Sequence, residues 1–168
     1  HASYRRQRQM CIRDSYWLAD KKLITQNIDG LDGKAGNKDY ISIHGRLDKV
    51  VYYNNELEEQ VPFDANWNEI DLSLNPSDEV LKKELLKKFK IKFYNGHFIP
   101  QNGVSLKPYV LLFDEIYTDL YRISEAEDWM NKAQKIIFIG TSFSVNITSI
   151  ALRIAVSRGI KLDIVDPN

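Results

Sequence analysis

KIIFIGTSFSVNITSIALRIAVSRGIKLDIVDPN, residues 135–168, reads as strand, turn, helix and strand. KIIFI is an apolar run of strand length. It ends in Gly140, Thr141 and Ser142, after which ITSIALRIAVSRG is helical and stops at Gly159, the residue type that closes a helix in a left-handed conformation. IKLDIVDPN supplies a further strand. This is a βαβ unit with a right-handed crossover, so the C-terminal half is expected to be α/β with a parallel sheet.

Upstream, SEAE from Ser124 to Glu127 has the form of a capping box opening a helix through about Gln134. PYVLLF, residues 108–113, is a continuous apolar run compatible with a strand buried on both faces. DYISIHG alternates Tyr40, Ser42 and His44 against Ile41 and Ile43, the two-residue period of a strand, and His44 leaves it at Gly45. Leu23 and Ile24 form a short strand with the polar TQN at its end, where open α/β sheets bind ligands.

Residues 50–105 are polar and mixed, and they read as a small inserted module. In NPSDEVLKKELLKKFKIKF, Asn75 suits a cap, Pro76 the first helical position, and Asp78 and Glu79 the first turn. Val80, Leu81, Leu85 and Phe89 share one side of that helix, with the lysines mostly facing away as a solvated face. Trp67, Phe63 and Leu72 are expected to pack on that apolar side. Residues 1–15, with four arginines and no clear period, read as an arm or a leader foreign to the natural protein.

The chain of 168 residues, 43% hydrophobic, suits one domain with a sizeable core. Lys plus Arg and Asp plus Glu number 23 each, so no long-range field attracts nucleic acid or an anionic membrane. No apolar run approaches the roughly 20 residues of a membrane span. A single cysteine, Cys11, excludes an internal disulfide and a four-cysteine zinc site. Together these predict a soluble, cytoplasmic protein.

ITQNIDGLDGKAG, residues 24–36, sets Gln26, Asn27 and Asp29 directly after an apolar run. Amides donate and accept together and suit hydroxyls and ordered water, while a carboxylate suits a carboxamide NH2 or a sugar hydroxyl. A satisfied turn explains Asp29 and Gly30 equally well, so the stretch alone leaves turn and site both open. His44 can act as a general base near neutral pH or be a structural histidine. His97 is expected in a loop. At Gly140, Thr141 and Ser142 a phosphate-binding turn and a plain strand-to-helix turn are both compatible with the residues. Asp114 and Glu115 read as solvated loop charges, and Phe113 as core or as the wall of an apolar slot.

Taken in order, ITQNIDGL, AG, HG, KPYVLLFDE, GTSFSV and IVDPN resemble the sirtuin family, whose pattern runs T-Q-N-[IV]-D-G-L-H, A-G, H-G, R-P-x-V-V-x-F-G-E and G-T-S, then a strand ending near Asn. The match covers roughly residues 16–168, interrupted at 50–105. The resemblance implies a Rossmann-like α/β fold and an NAD-dependent protein deacylase, a transferase that releases nicotinamide and O-acyl-ADP-ribose while freeing lysine. It implies that Asp29 with Ile28 holds the nicotinamide carboxamide, that Gln26 contacts the ribose hydroxyls, and that Asn27 orders water beside them. His44 is implied as the base that takes a proton from a ribose hydroxyl. Gly140, Thr141, Ser142 and Asp166 match positions at the dinucleotide. Phe113 matches the aromatic that packs on the acyl-lysine chain, Leu111 the backbone carbonyl that receives the lysine amide, and Asp114 and Glu115 the edge where a substrate peptide adds as a strand.

Four departures accompany the resemblance. Asp32 stands where the family has histidine, and Asp114 replaces the glycine of F-G-E. The interval from Gly45 to Lys107 contains no cysteine, where the family carries two C-x-x-C pairs, so no structural zinc is expected. The family's first strand and its G-A-G-x-S phosphate loop are missing upstream, so the chain is expected to be a fragment of the catalytic domain with weak or absent activity. Acyl-lysine protein or peptide is the expected partner. The alternatives are a sirtuin-like NAD hydrolase or ADP-ribosyltransferase using the same pocket, or an inactive NAD-binding fragment.

Overall fold

The computed structural model describes residues 21–53, 60–71, 73, 75, 77–112 and 115–166. The chain divides after Tyr121 into two compact units.

In the first unit, β1 (Leu23–Thr25) pairs in parallel with β2 (Tyr40–Ser42), Ile24 opposite Ile41. The alternation read from DYISIHG is present, with Ile41 and Ile43 fully buried and Tyr40, Ser42 and His44 only partly so. The ladder runs one residue past β2, through the Ile43 amide to the Thr25 carbonyl at 3.0 Å. A parallel pair needs a crossover. Here it contains the one-turn helix α1 (Leu31–Lys34), reached through Gly30 at φ 67°.

Gly45 then redirects the chain into β3 (Gly45–Tyr52), the middle strand of an antiparallel sheet ordered β4 (Phe63–Asp64), β3, β7 (Leu106–Val110). Gly45 has φ 80° and lies opposite Val110; a β-carbon on it would stand 2.1 Å from the Tyr109 carbonyl oxygen. No side chain fits there, which gives the H-G pair a physical reason. Behind β3 and β7, Val51, Tyr109 and Tyr121 form a buried cluster with Leu111 and Leu120 against it. The two tyrosine rings stack at 5.2 Å, and the Tyr109 hydroxyl donates to the Leu120 carbonyl at 2.7 Å.

PYVLLF does not form the strand buried on both faces that its composition predicts. β7 ends at Val110 in an antiparallel ladder, Pro108 is exposed and Leu112 is 55% exposed. The partner strand β3 begins opposite Val110, and the pairing goes one step further, through the Leu111 amide to the His44 carbonyl at 3.0 Å, before Leu112 is left exposed.

Between β3 and β7 lie α2 (Glu79–Lys88) and the hairpin of β5 (Lys92–Tyr94) with β6 (His97–Ile99), so His97 sits on a strand rather than in a loop. Asp78, not Asn75, caps α2, accepting from the Val80 amide at 2.7 Å; Asn75 instead accepts from Ser77 in a turn just upstream. On the expected apolar side Leu81 is buried, while Val80 is 55% exposed in the first turn. Trp67 meets Phe89 at 5.9 Å and donates to the Leu47 carbonyl at 2.8 Å. Phe63 packs on Tyr52 instead, because its pairing opposite Val50 places it on the sheet. Leu72 and Pro76 lie outside the described residues. The module is tied shut at Ser105, fully buried, whose hydroxyl donates to the Lys90 carbonyl at 2.7 Å and accepts from the Gln101 amide at 2.8 Å.

The second unit is a βαβ unit preceded by a helix. β8 (Lys135–Ile139) and β9 (Lys161–Val165) pair in parallel around α4 (Asn146–Arg158), which Gly159 closes at φ 65°. Lys135 and Asp163 form an ion pair across the two strands. The preceding helix α3 (Ile123–Lys132) starts and stops earlier than the SEAE box predicts. Arg122 at φ 59° occupies the cap position, and its guanidinium holds Glu125 through contacts of 2.7 and 2.8 Å, which leaves Ser124 inside the first turn. β8 is not a fully buried strand: Phe138 is buried, but Ile137 and Ile139 are exposed, as are Leu162, Ile164 and Val165 on β9. No helix among the described residues is long and apolar enough to cross a membrane.

Gly45 and Gly96 share φ 80°, but nothing lies within 4 Å of a β-carbon at Gly96. Gly96→Ala is therefore expected to cost only the left-handed backbone term, about 1–2 kcal/mol, and Gly45→Ala clearly more, because the β7 backbone must shift as well. Urea unfolding of the two variants measures the difference; equal losses would remove the close approach from the account.

Candidate functional site

The site begins where β1 ends. Buried Thr25 accepts through its hydroxyl from the Asn27 amide at 3.2 Å and from Asn27 Nδ2 at 3.1 Å. This turn orients the Asn27 side chain and leaves Asn27 Oδ1 pointing away from Thr25 as an acceptor. Asp29 Oδ1 accepts from the Leu31 amide at 3.0 Å, so the IDG turn is real and the carboxylate is fixed by it. The turn reading and the site reading are not exclusive, because the hydrogen bonds of the turn are what aim the side chains.

Three bonds bind this turn to the chain around His44. The Ile43 amide donates to the Thr25 carbonyl, His44 Nδ1 lies 3.1 Å from the Gln26 carbonyl oxygen, and the Leu47 amide donates to the Ile28 carbonyl at 2.8 Å. A fourth, from the Leu111 amide to the His44 carbonyl at 3.0 Å, brings up the end of β7. The result is a cavity of about 450 Å³ lined by Gln26, Asn27, Ile28, Asp29, His44 and, from the chain at and after β7, Val110, Leu111 and Leu112. Its volume is within the ordinary range for small-molecule sites.

A carbonyl oxygen only accepts, so Nδ1 of His44 carries the hydrogen and, in the neutral ring, Nε2 carries the lone pair. Burial pushes the His44 pKa below its ordinary value, and the bond to Gln26 opposes this only in part. The ring is therefore neutral and basic at pH 7.

Tyr117 was not legible in the sequence as a site residue. Its hydroxyl lies 2.8 Å from His44 Nε2 and its ring is within 19° of parallel to the imidazole. It sits in a short irregular segment with no periodicity, and nothing in FDEIYTD distinguishes it from a surface aromatic.

Glu115 is not the solvated loop charge its sequence neighbourhood predicts. It pairs with Lys107, accepts from the Leu112 amide at 3.0 Å and from the Tyr121 hydroxyl at 3.4 Å. Burial pushes its carboxyl up, but the Leu112 amide and Lys107 outweigh that and hold it below the usual range. Partial burial, with Glu115 beside it, pushes the Tyr121 phenol up. Phe113 and Asp114 lie outside the described residues. Asp32 is buried within α1, its carbonyl receiving the Asn37 side chain at 3.2 Å.

The remaining expected residues belong to the second unit. Gly140 follows β8 and Asp166 follows β9, and the Gly140 amide donates to the Val165 carbonyl at 3.0 Å, so both stand at the carboxyl end of the parallel pair. Thr141 and Ser142 do not open the helix, as their position in GTS suggests. α4 begins at Asn146 after Val145, and Ser142 hydrogen-bonds Ser144 at 2.6 Å within the loop.

The lowered pKa of His44 carries a sign. The unfolded chain binds this proton more readily than the folded one, so the contribution is complete above the unfolded value of about 6.5 and is lost as pH falls through the lower folded value. His44→Gln is expected to lose less stability than the parent between pH 7.5 and 5, measured as the change in urea midpoint. An identical loss would show that His44 is not held neutral by the fold.

The pattern of the Sir2 family matches residues 17–147. The NAD-dependent deacetylase sir2E of Dictyostelium discoideum is 32% identical over 132 residues, spanning 75% of this chain and 36% of that protein. An NAD-dependent protein deacetylase of Thermodesulfovibrio yellowstonii is 30% identical over 142 residues, 84% of this chain and 46% of its own. The chain thus spans less than half the length of these two relatives. Among solved structures, a Sir2 homolog–NAD complex superposes with a TM-score of 0.61 at 22% identity, over 95% of this chain and 52% of that one. A Sir2 bound to an inhibitor, 2′-O-acetyl-ADP-ribose and a deacetylated p53 peptide gives 0.54 at 24% identity, over 87% and 52%. The likeness is one of fold, a Rossmann-like α/β arrangement of which this chain holds about half.

Proposed function

The chain belongs to the Sir2 family, and from that membership we propose that it is the nicotinamide-ribose and acyl-lysine part of an NAD-dependent protein deacylase. The observation that carries this reading is the single cavity joining Gln26, Asn27, Ile28 and Asp29 to His44 and to Leu111.

The residues present fit the nicotinamide end of NAD. The cavity accommodates a ring and a sugar; the Asp29 carboxylate accepts amide N–H groups, Gln26 and Asn27 Oδ1 face hydroxyls or water, and Ile28 and Val110 supply apolar walls. NAD supplies an anomeric carbon with nicotinamide as its leaving group. His44 Nε2, with Nδ1–H held by the Gln26 carbonyl, is placed to take a proton from a ribose hydroxyl. Gly140, Thr141, Ser142 and Asp166 serve the rest of the dinucleotide in this reading. Its support is their position at the carboxyl ends of parallel strands, where such folds bind nucleotides. On the acyl-lysine side, Leu111 offers its carbonyl, Phe113 an apolar wall, and the stretch from Asp114 to Glu115 a peptide edge.

One observation favours a second reading, NAD hydrolysis or ADP-ribosyl transfer. Glu115, part of the stretch read as the peptide edge, has its carboxylate already engaged by the Leu112 amide at 3.0 Å. A peptide must then rely on other backbone groups along that edge.

The reading includes no structural zinc and a cytoplasmic location. In support of the former, residues 45–107 hold no cysteine, and the described residues of the module are tied by Trp67, Phe89 and Ser105. Treatment with a strong chelator is expected to leave the melting temperature unchanged; a fall would mean that a metal does hold the module.

The deciding experiment is mass spectrometry of NAD incubated with an acetyl-lysine peptide pool and the protein expressed from its whole gene. Peptide-dependent acetyl-ADP-ribose is expected, and His44→Ala is expected to abolish it, a loss of at least about 100-fold for a general base. Nicotinamide and ADP-ribose without deacetylated peptide would replace the deacylase by the hydrolase, and full activity in His44→Ala would sink the base assignment.

A further inference from the structure

Both ring nitrogens of His44 are occupied. Nδ1–H is directed at the Gln26 carbonyl, so the Tyr117 hydroxyl 2.8 Å from Nε2 donates to the lone pair there. An imidazole nitrogen has one such lone pair, and it is the one that a substrate hydroxyl needs.

The segment carrying Tyr117 is fastened on both sides. Before it, Glu115 is tied to Lys107 and the Leu112 amide; after it, the Tyr121 amide donates to the Thr118 carbonyl at 2.9 Å and the Tyr121 ring stacks on Tyr109. The backbone is thus held on either side of Tyr117, whose ring lies along the imidazole.

We propose that Tyr117 is a place-holder on His44, a positioning residue whose hydroxyl donates to Nε2 in the resting site and is exchanged for a ribose hydroxyl when substrate binds. This rests on the reading of His44 as the base of a ribose site. Tyr117 keeps its own proton throughout. In the exchange the sugar O–H becomes the donor to Nε2; on transfer its proton moves to Nε2, leaving an imidazolium with hydrogens on both nitrogens. Until then the Tyr117 hydroxyl keeps the Nδ1–H tautomer in place and satisfies a half-buried nitrogen that water would otherwise have to reach.

Binding a ribose to this site breaks the bond between Tyr117 and His44, a net contribution of about 1 kcal/mol, or roughly fivefold in affinity. Tyr117→Phe keeps the ring and deletes the donor. Calorimetric titration of the whole-gene protein with ADP-ribose and with ADP, which lacks the second ribose, separates the cases. The variant is expected to bind ADP-ribose several-fold more tightly and ADP unchanged. Unchanged or weaker ADP-ribose binding, or equal tightening of both nucleotides, overturns the place-holder.

If the parent binds neither nucleotide, the ribose-site reading itself fails, a result distinct from a parent that binds and a variant that does not tighten. Should Tyr117→Phe not fold, 3-fluorotyrosine placed at position 117 reports directly. Its fluorine resonance is expected to move with saturating ADP-ribose and stay still with ADP, and a signal indifferent to ADP-ribose overturns the exchange.

Discussion

The close approach of the Gly45 backbone to the Tyr109 carbonyl, too tight for any β-carbon, sets the position of nearly everything the site uses. Because no β-carbon separates them, β7 lies directly against the residue after His44, and the Leu111 amide reaches the His44 carbonyl. The cavity at His44 is then lined both by the residues from Gln26 to Asp29 and by Val110 to Leu112. An ordinary residue at position 45 would push β7 out and open the cavity without touching any polar group in it.

The parts of the fold that were legible in the sequence are those governed by local periodicity or by a residue with one physical use. The βαβ unit showed itself through two apolar runs and a glycine at the helix end, and β2 through strict alternation. The helix starts were less legible, because Asp78 competes with Asn75 for one cap and Arg122 replaces the expected serine at another. Such choices depend on partners several residues away and on an uncommon positive φ, which Arg122 adopts while its guanidinium holds Glu125.

For the site, the polar stretch after β1 and His44 were visible as candidates, since amides and a carboxylate at a strand end are unusual. What the sequence could not display was their mutual aim. Thr25 orients Asn27, the Gln26 carbonyl selects the histidine tautomer, and Glu115 leaves the solvent to tie down the Leu112 amide. Tyr117 had no local signal at all, because its role exists only where a distant chain segment comes within hydrogen-bond reach of His44.

The exposed strands of the second unit bear on how the protein behaves in concentrated solution. β8 and β9 carry Ile137, Ile139, Leu162, Ile164 and Val165 on a two-stranded parallel ribbon among the described residues. Ribbon edges of this kind are templates for pairing between molecules, and IIFI is rich in the side chains that favour it. The Lys135–Asp163 ion pair joins the first residue of β8 to the middle of β9 and sets a charge of each sign among these apolar side chains, the kind of charge that discourages such pairing. Salt screens an exposed pair of this kind, so the tendency of the ribbon to pair between molecules is expected to rise with ionic strength.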